Sequence, residues 1–115
     1  MTRYKPGEII LVPFPFTDLS STKKRPALVV SPNDYNNQGD VVIAFITSNM
    51  EGPPRVGDYL LTDWQEAGLP LPSKLRMKFA TVSAEIIVKS IGNITGNERS
   101  KIGKILKDFF RDFAE

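Results

Sequence analysis

The strand signals of this chain all precede its one long helical pattern, and no helical crossover separates them. A parallel strand pair needs a crossover of about a dozen residues or more, usually a helix, whereas antiparallel strands can be joined by tight turns. The order of short strands followed by a single helix therefore predicts a mainly β chain. The expected architecture is a strongly curved antiparallel sheet or small barrel with a C-terminal helix.

The first strand is expected at residues 8–14, where Gly7 precedes Glu8-Ile9-Ile10-Leu11-Val12-Pro13-Phe14. Pro13 and Pro15 cannot donate to a ladder, so its second half reads as an edge or as bending away. Residues 27–31 read as a short central strand, and 32–40 are dense in turn formers. Val41-Val42-Ile43-Ala44-Phe45-Ile46 is continuous and β-branched, the pattern of a strand buried on both faces. Asp58-Tyr59-Leu60-Leu61 is expected as a fourth strand. Residues 63–67 read as a single helical turn before Gly68, with Trp64 as a packing anchor rather than a base-stacking platform. Residues 74–79 alternate with period two, which puts Lys74, Arg76 and Lys78 on one face and Leu75, Met77 and Phe79 on the other. A kink at 81–83, a last strand at 86–88 and a turn at Gly92-Asn93 follow.

The C-terminal helix is the clearest single element. Thr95-Gly96-Asn97-Glu98 matches a capping box, with Thr95 as N-cap and Glu98 reaching back. Ile102, Ile105, Leu106, Phe109, Phe110 and Phe113 then recur at helical spacing as one apolar stripe, which must dock on the sheet or on another chain.

Composition closes several routes. With 115 residues, no repeats and no linker, one domain over 1–115 is expected. There is no cysteine, hence no thiolate nucleophile or thiolate metal site, and no histidine, which excludes His-based acid–base catalysis and His-ligated metals. The N-terminus has no apolar targeting segment and no run approaches membrane-spanning length, so a soluble cytoplasmic protein is expected. A net charge of +2 and a pI near 9.0 are a weak basic bias, compatible with nucleic acid.

Local clustering is more informative. Arg25 opens the run Arg25-Pro26-Ala27-Leu28-Val29-Val30-Ser31, and the strand at 41–47 ends at Thr47-Ser48-Asn49. An arginine at one strand start and a hydroxyl at another strand end suit convergence on a phosphate. In isolation the same residues fit a strand-edge ion pair and a satisfied hydroxyl. Lys23-Lys24-Arg25 and the trio Lys74, Arg76, Lys78 form two basic clusters, compatible with nucleic acid, or else simply solubilise exposed faces. The polar loop at 17–24 suits closure over a ligand, and equally a plain hairpin connection.

The segments Gly7-Glu8-Ile9-Ile10-Leu11-Val12-Pro13-Phe14-Pro15-Phe16-Thr17-Asp18, Lys24-Arg25-Pro26-Ala27-Leu28-Val29-Val30-Ser31 and Ile46-Thr47-Ser48 together resemble the MazF/PemK toxin family. Leu61-Thr62-Asp63-Trp64, Ala67-Gly68-Leu69 and Pro72-Ser73-Lys74 add to the likeness, which runs in order along nearly the whole chain. The resemblance implies an SH3-like barrel that forms a homodimer. It also implies an endoribonuclease toxin of a type II toxin–antitoxin pair, cutting single-stranded RNA, often mRNA, without a metal or other cofactor. Such cleavage often leaves a 2′,3′-cyclic phosphate and a 5′-hydroxyl, and an antitoxin protein inhibits the enzyme. The family's arginine before proline matches Arg25 and its threonine at the end of the third strand matches Thr47, which become the catalytic candidates. Lys23, Lys24, Ser48, Lys74, Arg76 and Lys78 are the RNA-binding candidates.

One departure bears on the chemistry. Some members carry Asp, often followed by Gln, four residues before the threonine that matches Thr81; those positions here are Met77 and Lys78. Some also carry Arg two residues before that Asp, where this chain has Leu75, with Arg76 adjacent. In the implied reaction a ribose 2′-hydroxyl attacks its own phosphate. Arg25 would stabilise the charge gathering on the non-bridging oxygens, and Thr47 would bond the phosphate or orient the hydroxyl. The general base is left unassigned: Asp18 and Asp34 lie near the right segments and neither is chosen. A catalytically weak or inactive module that binds nucleic acid or antitoxin is the alternative, and an SH3-like peptide adaptor a third reading.

Overall fold

The computed structural model of the chain describes residues 4–13 and 23–114. Most of the polar loop at 17–24, with Asp18, lies outside them. The strands are β1 (Glu8–Pro13), β2 (Lys24–Val29), β3 (Asp40–Thr47), β4 (Tyr59–Leu60), β5 (Lys74–Ser83) and β6 (Lys89–Asn93). A short helix α1 (Asn33–Asn36) interrupts the turn-rich segment, and α2 (Gly96–Phe109) and α3 (Arg111–Ala114) end the chain. The strands form one sheet in the order β4-β5-β3-β2-β1-β6, with every neighbouring pair antiparallel. The sheet curls into a half-barrel, as the absence of crossovers predicts.

The apolar runs are continuous because the sheet is covered on both faces. Even positions of β3, Ala44 and Ile46, join Leu28, Leu75 and Ile102 in one cluster, while odd positions, Val41 and Ile43, join Ile10, Val12 and Val29 in another. The period-two reading of β5 also holds: Leu75, Met77 and Phe79 pack against the first cluster. Trp64 packs there too, as an anchor of the turn at 62–68. That turn carries the helical hydrogen bond expected for it, from Ala67 N to Asp63 O at 3.0 Å.

The same turn joins the two ends of the sheet. Gly68 (φ +91°) and Gly92 on β6 meet so closely that a Cβ at Gly92 would lie 2.0 Å from the Ala67 carbonyl oxygen. Such an approach is open only to glycine.

Three expectations are corrected. Residues 86–88 are not a strand: Ala84–Ile86 is a 3₁₀ turn, and Ile87 drops into the second core cluster. The last strand is Lys89–Asn93, and Gly92-Asn93 lies within it rather than turning away. An edge strand that pairs only with β1 and is pinned by a glycine contact needs little apolar content of its own. The capping box does not form either. Thr95 has extended N-cap geometry, but its hydroxyl donates to Asp63 Oδ2 at 2.6 Å. Glu98 is fully buried and accepts hydrogen bonds from Tyr59, Thr62 and Asp63 instead.

The helical stripe docks progressively less. Ile102 is buried and Ile105 and Leu106 are half-buried, whereas Phe109 and Phe110 are exposed and cluster with Phe79 at ring separations of 5.1–5.6 Å. Phe113 is 95% exposed. No helix among the described residues is long and apolar enough to cross a membrane.

Candidate active site

Ala27 on β2 pairs with Phe45 on β3. The antiparallel register puts Arg25, two residues before that pair on β2, and Thr47, two residues after it on β3, at the same end of the two strands. Both line one cleft of about 280 Å³, with Phe45, Ile46, Asn49, Glu51, Arg55, Arg76 and Lys78. The strand start and the strand end singled out by sequence thus meet because the strands run antiparallel in this register.

Arg76 and Lys78 reach the cleft through an irregularity in the sheet. Ala44 pairs with Phe79, but Ile46 pairs with Leu75, so Arg76, Met77 and Lys78 together oppose the single residue Phe45. A bulge of this kind bends a strand and re-aims its side chains. Because the slip is even, the facing of β5 is preserved. Met77 stays against the core and close to Gly57, while Arg76 and Lys78 stay on the cleft side. Arg76 is held by Asp58: Arg76 Nη2 donates to Asp58 Oδ2 at 3.3 Å, and Arg55 N donates to the same oxygen at 3.0 Å.

The segment after β3 is ordered by two nested turns. Asn49 N donates to Thr47 Oγ1 at 3.1 Å, and Glu51 N donates to Asn49 Oδ1 at 2.9 Å. Side chains two residues apart are thereby presented in series along the cleft wall. The Thr47 oxygen accepts from Asn49 and keeps its own proton to donate to a ligand.

The remaining candidates divide. Lys24 and Ser48 line a second cleft of about 210 Å³, and Arg25 and Ile46 belong to both, so Arg25 forms the ridge between them. Lys23 is exposed and lines neither. Lys74 does not join Arg76 and Lys78 in a groove: it is buried, with Nζ 3.7 Å from Asp58 Oδ2. The alternation gave its face correctly, but a carboxylate already occupies that end of the strand. Asp34 lines neither cleft, and its Oδ1 accepts from Tyr35 N.

Sequence reasoning missed Glu51 and Arg55, which sit in a loop without periodicity. The signal available was the two-residue spacing from Thr47 through Asn49 to Glu51. Among the described residues, four cationic side chains and one carboxylate therefore share the first cleft. It has the makings of a site for a phosphodiester: guanidinium donors, a hydroxyl and a carboxylate. A larger hollow of about 640 Å³, between Val56, Gly57 and α2, shares no residue with either cleft.

The fold is that of known toxins. An endoribonuclease in complex with its cognate antitoxin from a mycobacterial species superposes with a TM-score of 0.71 at 18% identity, over 94% of this chain and 93% of that one. MazF in a MazE–MazF complex from Deinococcus radiodurans gives 0.73 at 19% identity, over 95% and 97%. The Mycobacterium tuberculosis toxin MazF-mt6 gives 0.70 at 17% identity, over 90% and 96%. No curated protein matches the chain. The family of PemK-like, MazF-like toxins of type II toxin–antitoxin systems matches residues 5–110. With that match over most of its length, the chain belongs to the PemK-like, MazF-like toxin family of type II toxin–antitoxin systems.

Proposed function

We propose that this chain is a metal-independent endoribonuclease that cleaves single-stranded RNA, mRNA included, as the toxin of its pair. The observation that carries this reading is the meeting of Arg25 and Thr47 in one cationic cleft. A ribose 2′-hydroxyl attacks the adjacent phosphorus, negative charge gathers on the non-bridging oxygens, and the 5′-oxygen leaves. Arg25 stabilises that charge through a guanidinium that stays protonated, so its part is electrostatic rather than proton transfer. Thr47 donates to the phosphate and fixes it for in-line attack. Arg76 and Lys78 hold the backbone on one side of Arg25, and Lys24 and Ser48 on the other.

In this reading the protein acts in the cytoplasm as one domain, pairs with a second copy, and is restrained by a cognate antitoxin. The neighbour solved with its antitoxin supports the last point. The exposed Val56, Phe110 and Phe113 are surfaces that such partners would cover.

The test of the chemistry is the substrate's own nucleophile. An RNA with one 2′-deoxy sugar at a cut site resists cleavage there and is cut normally elsewhere; cleavage at the deoxy position would rule the mechanism out. The second reading, a binding module without catalysis, is favoured by one observation. The position that carries Asp in some relatives is Met77, packed against the core. Such a module would bind RNA with a steep salt dependence and leave it intact.

A further inference from the structure

We propose that Glu51 is the general base of this cleft, an inference that rests on the ribonuclease reading above. Among the described residues it is the one carboxylate lining the cleft that holds Arg25 and Thr47. The nested turns bind it to the catalytic threonine: Asn49 N bonds Thr47 Oγ1 and Glu51 N bonds Asn49 Oδ1, so Thr47 and Glu51 line the same wall. On β5, Met77 packs against the core beside Gly57 and offers no carboxylate to the cleft. Other cleft side chains cannot take a proton at neutral pH. Arg25, Arg55 and Arg76 stay protonated, Lys78 is an ammonium, and neither Thr47 nor Asn49 is basic.

The step balances as follows. The 2′-hydroxyl proton passes to the Glu51 carboxylate as the 2′-oxygen bonds phosphorus. The bond from phosphorus to the 5′-oxygen breaks, and its electron pair leaves on that oxygen. The 5′-oxygen takes a proton from water, and the hydroxide so formed removes the proton from Glu51. The charged groups that line the cleft with Glu51 are Arg25 from β2, Arg76 and Lys78 from β5, and Arg55 from its own loop, with Asp58 bonded to Arg76 and to the Arg55 backbone.

The experiment compares wild type, Glu51→Gln, Glu51→Asp and Asp34→Asn. Single-turnover cleavage of a single-stranded RNA is followed across pH, with RNA affinity measured on a non-cleavable 2′-deoxy version. Glu51→Gln is expected to lose about a hundred-fold or more in rate, the usual share of a positioned base, with affinity unchanged or tighter. Its profile loses the limb in which the rate rises with pH, Glu51→Asp keeps that limb at a reduced rate, and Asp34→Asn matches wild type. Cleavage by Glu51→Gln within about three-fold of wild type, with the same profile, overturns the assignment, well short of the loss expected for a base. So does a loss of RNA affinity that accounts for the loss of rate. Wild type that leaves the RNA intact overturns instead the ribonuclease reading on which the assignment rests.

Discussion

Glu98, buried in the first turn of α2, accepts hydrogen bonds on Oε1 from both the backbone N–H and the hydroxyl of Thr62, at 2.8 and 2.9 Å. Tyr59 OH donates to the same oxygen at 2.8 Å. The carboxylate thus fastens the helix to the segment that leaves β4, and that segment carries the 62–68 turn onto β6. One side chain of the terminal helix thereby fixes the closure of the half-barrel.

Replacing Glu98 by alanine leaves the Thr62 N–H, the Thr62 hydroxyl and the Tyr59 hydroxyl without their acceptor. Each buried orphan typically costs about 1–3 kcal/mol, and Thr62 can recover part of this from water. Glu98→Ala is expected to lose about 3 kcal/mol of stability in urea unfolding, read against the usual cost of orphaned donors. An unchanged midpoint would mean that the helix is held by its apolar stripe alone.

Tyr59 provides a pH signature of the same junction. Burial, followed by the hydrogen bond to Glu98 and the negative charge of that carboxylate, pushes its phenol from 10.0 up to about 12. The folded state therefore holds this proton more tightly than the unfolded chain. The contribution is complete below the unfolded value and is lost as pH rises through the folded one. Stability should fall between pH 10.0 and about 12 more steeply in wild type than in Tyr59→Phe. Urea unfolding at several alkaline pH values, beside a spectroscopic phenolate titration, measures both sides of that linkage.

Two glycines separate close packing from mere flexibility. Gly92→Ala drives a Cβ to 2.0 Å from a backbone oxygen that cannot yield, whereas a Cβ at Gly103 meets nothing within 4 Å. Gly92→Ala is expected to lose about 3 kcal/mol or to fail to fold, the upper range for overpacking. Gly103→Ala, in the interior of α2, should gain about 0.8 kcal/mol from helix propensity. Thermal unfolding of the two variants reads both signs.

Much of this fold was legible in the sequence, because burial on both faces writes continuous apolar runs and the terminal helix writes a stripe. The runs at 8–14 and 41–47 and the alternation at 74–79 correspond, within the described residues, to β1, β3 and the first part of β5. β6 was not legible, because Lys89-Ser90-Ile91-Gly92-Asn93 is a polar edge whose pairing is set by β1 and by the Gly68 contact. The destination of Glu98 was hidden for a related reason. A local capping box and a tertiary contact with Thr62 draw on the same side chain, and only the fold decides between them. At the site, Arg25 at one strand start and Thr47 at another strand end suggested convergence, and the family resemblance made them the catalytic candidates. The burial of Lys74 on Asp58 and the entry of Glu51 and Arg55 depend on a bulge and a loop that leave no periodic trace.

The most direct test of the central claim is cleavage of a long single-stranded RNA by the purified protein in excess EDTA, with Arg25→Ala and Thr47→Val alongside. The account predicts discrete cuts by wild type, ending in 2′,3′-cyclic phosphate. Arg25→Ala should be slower by about a hundred- to a thousand-fold, the usual cost of losing one donor to the transition-state oxyanion. Thr47→Val should be slowed with little change in RNA affinity. Intact RNA after hours with a folded, antitoxin-free protein, or equal cutting by wild type and Arg25→Ala, would contradict it.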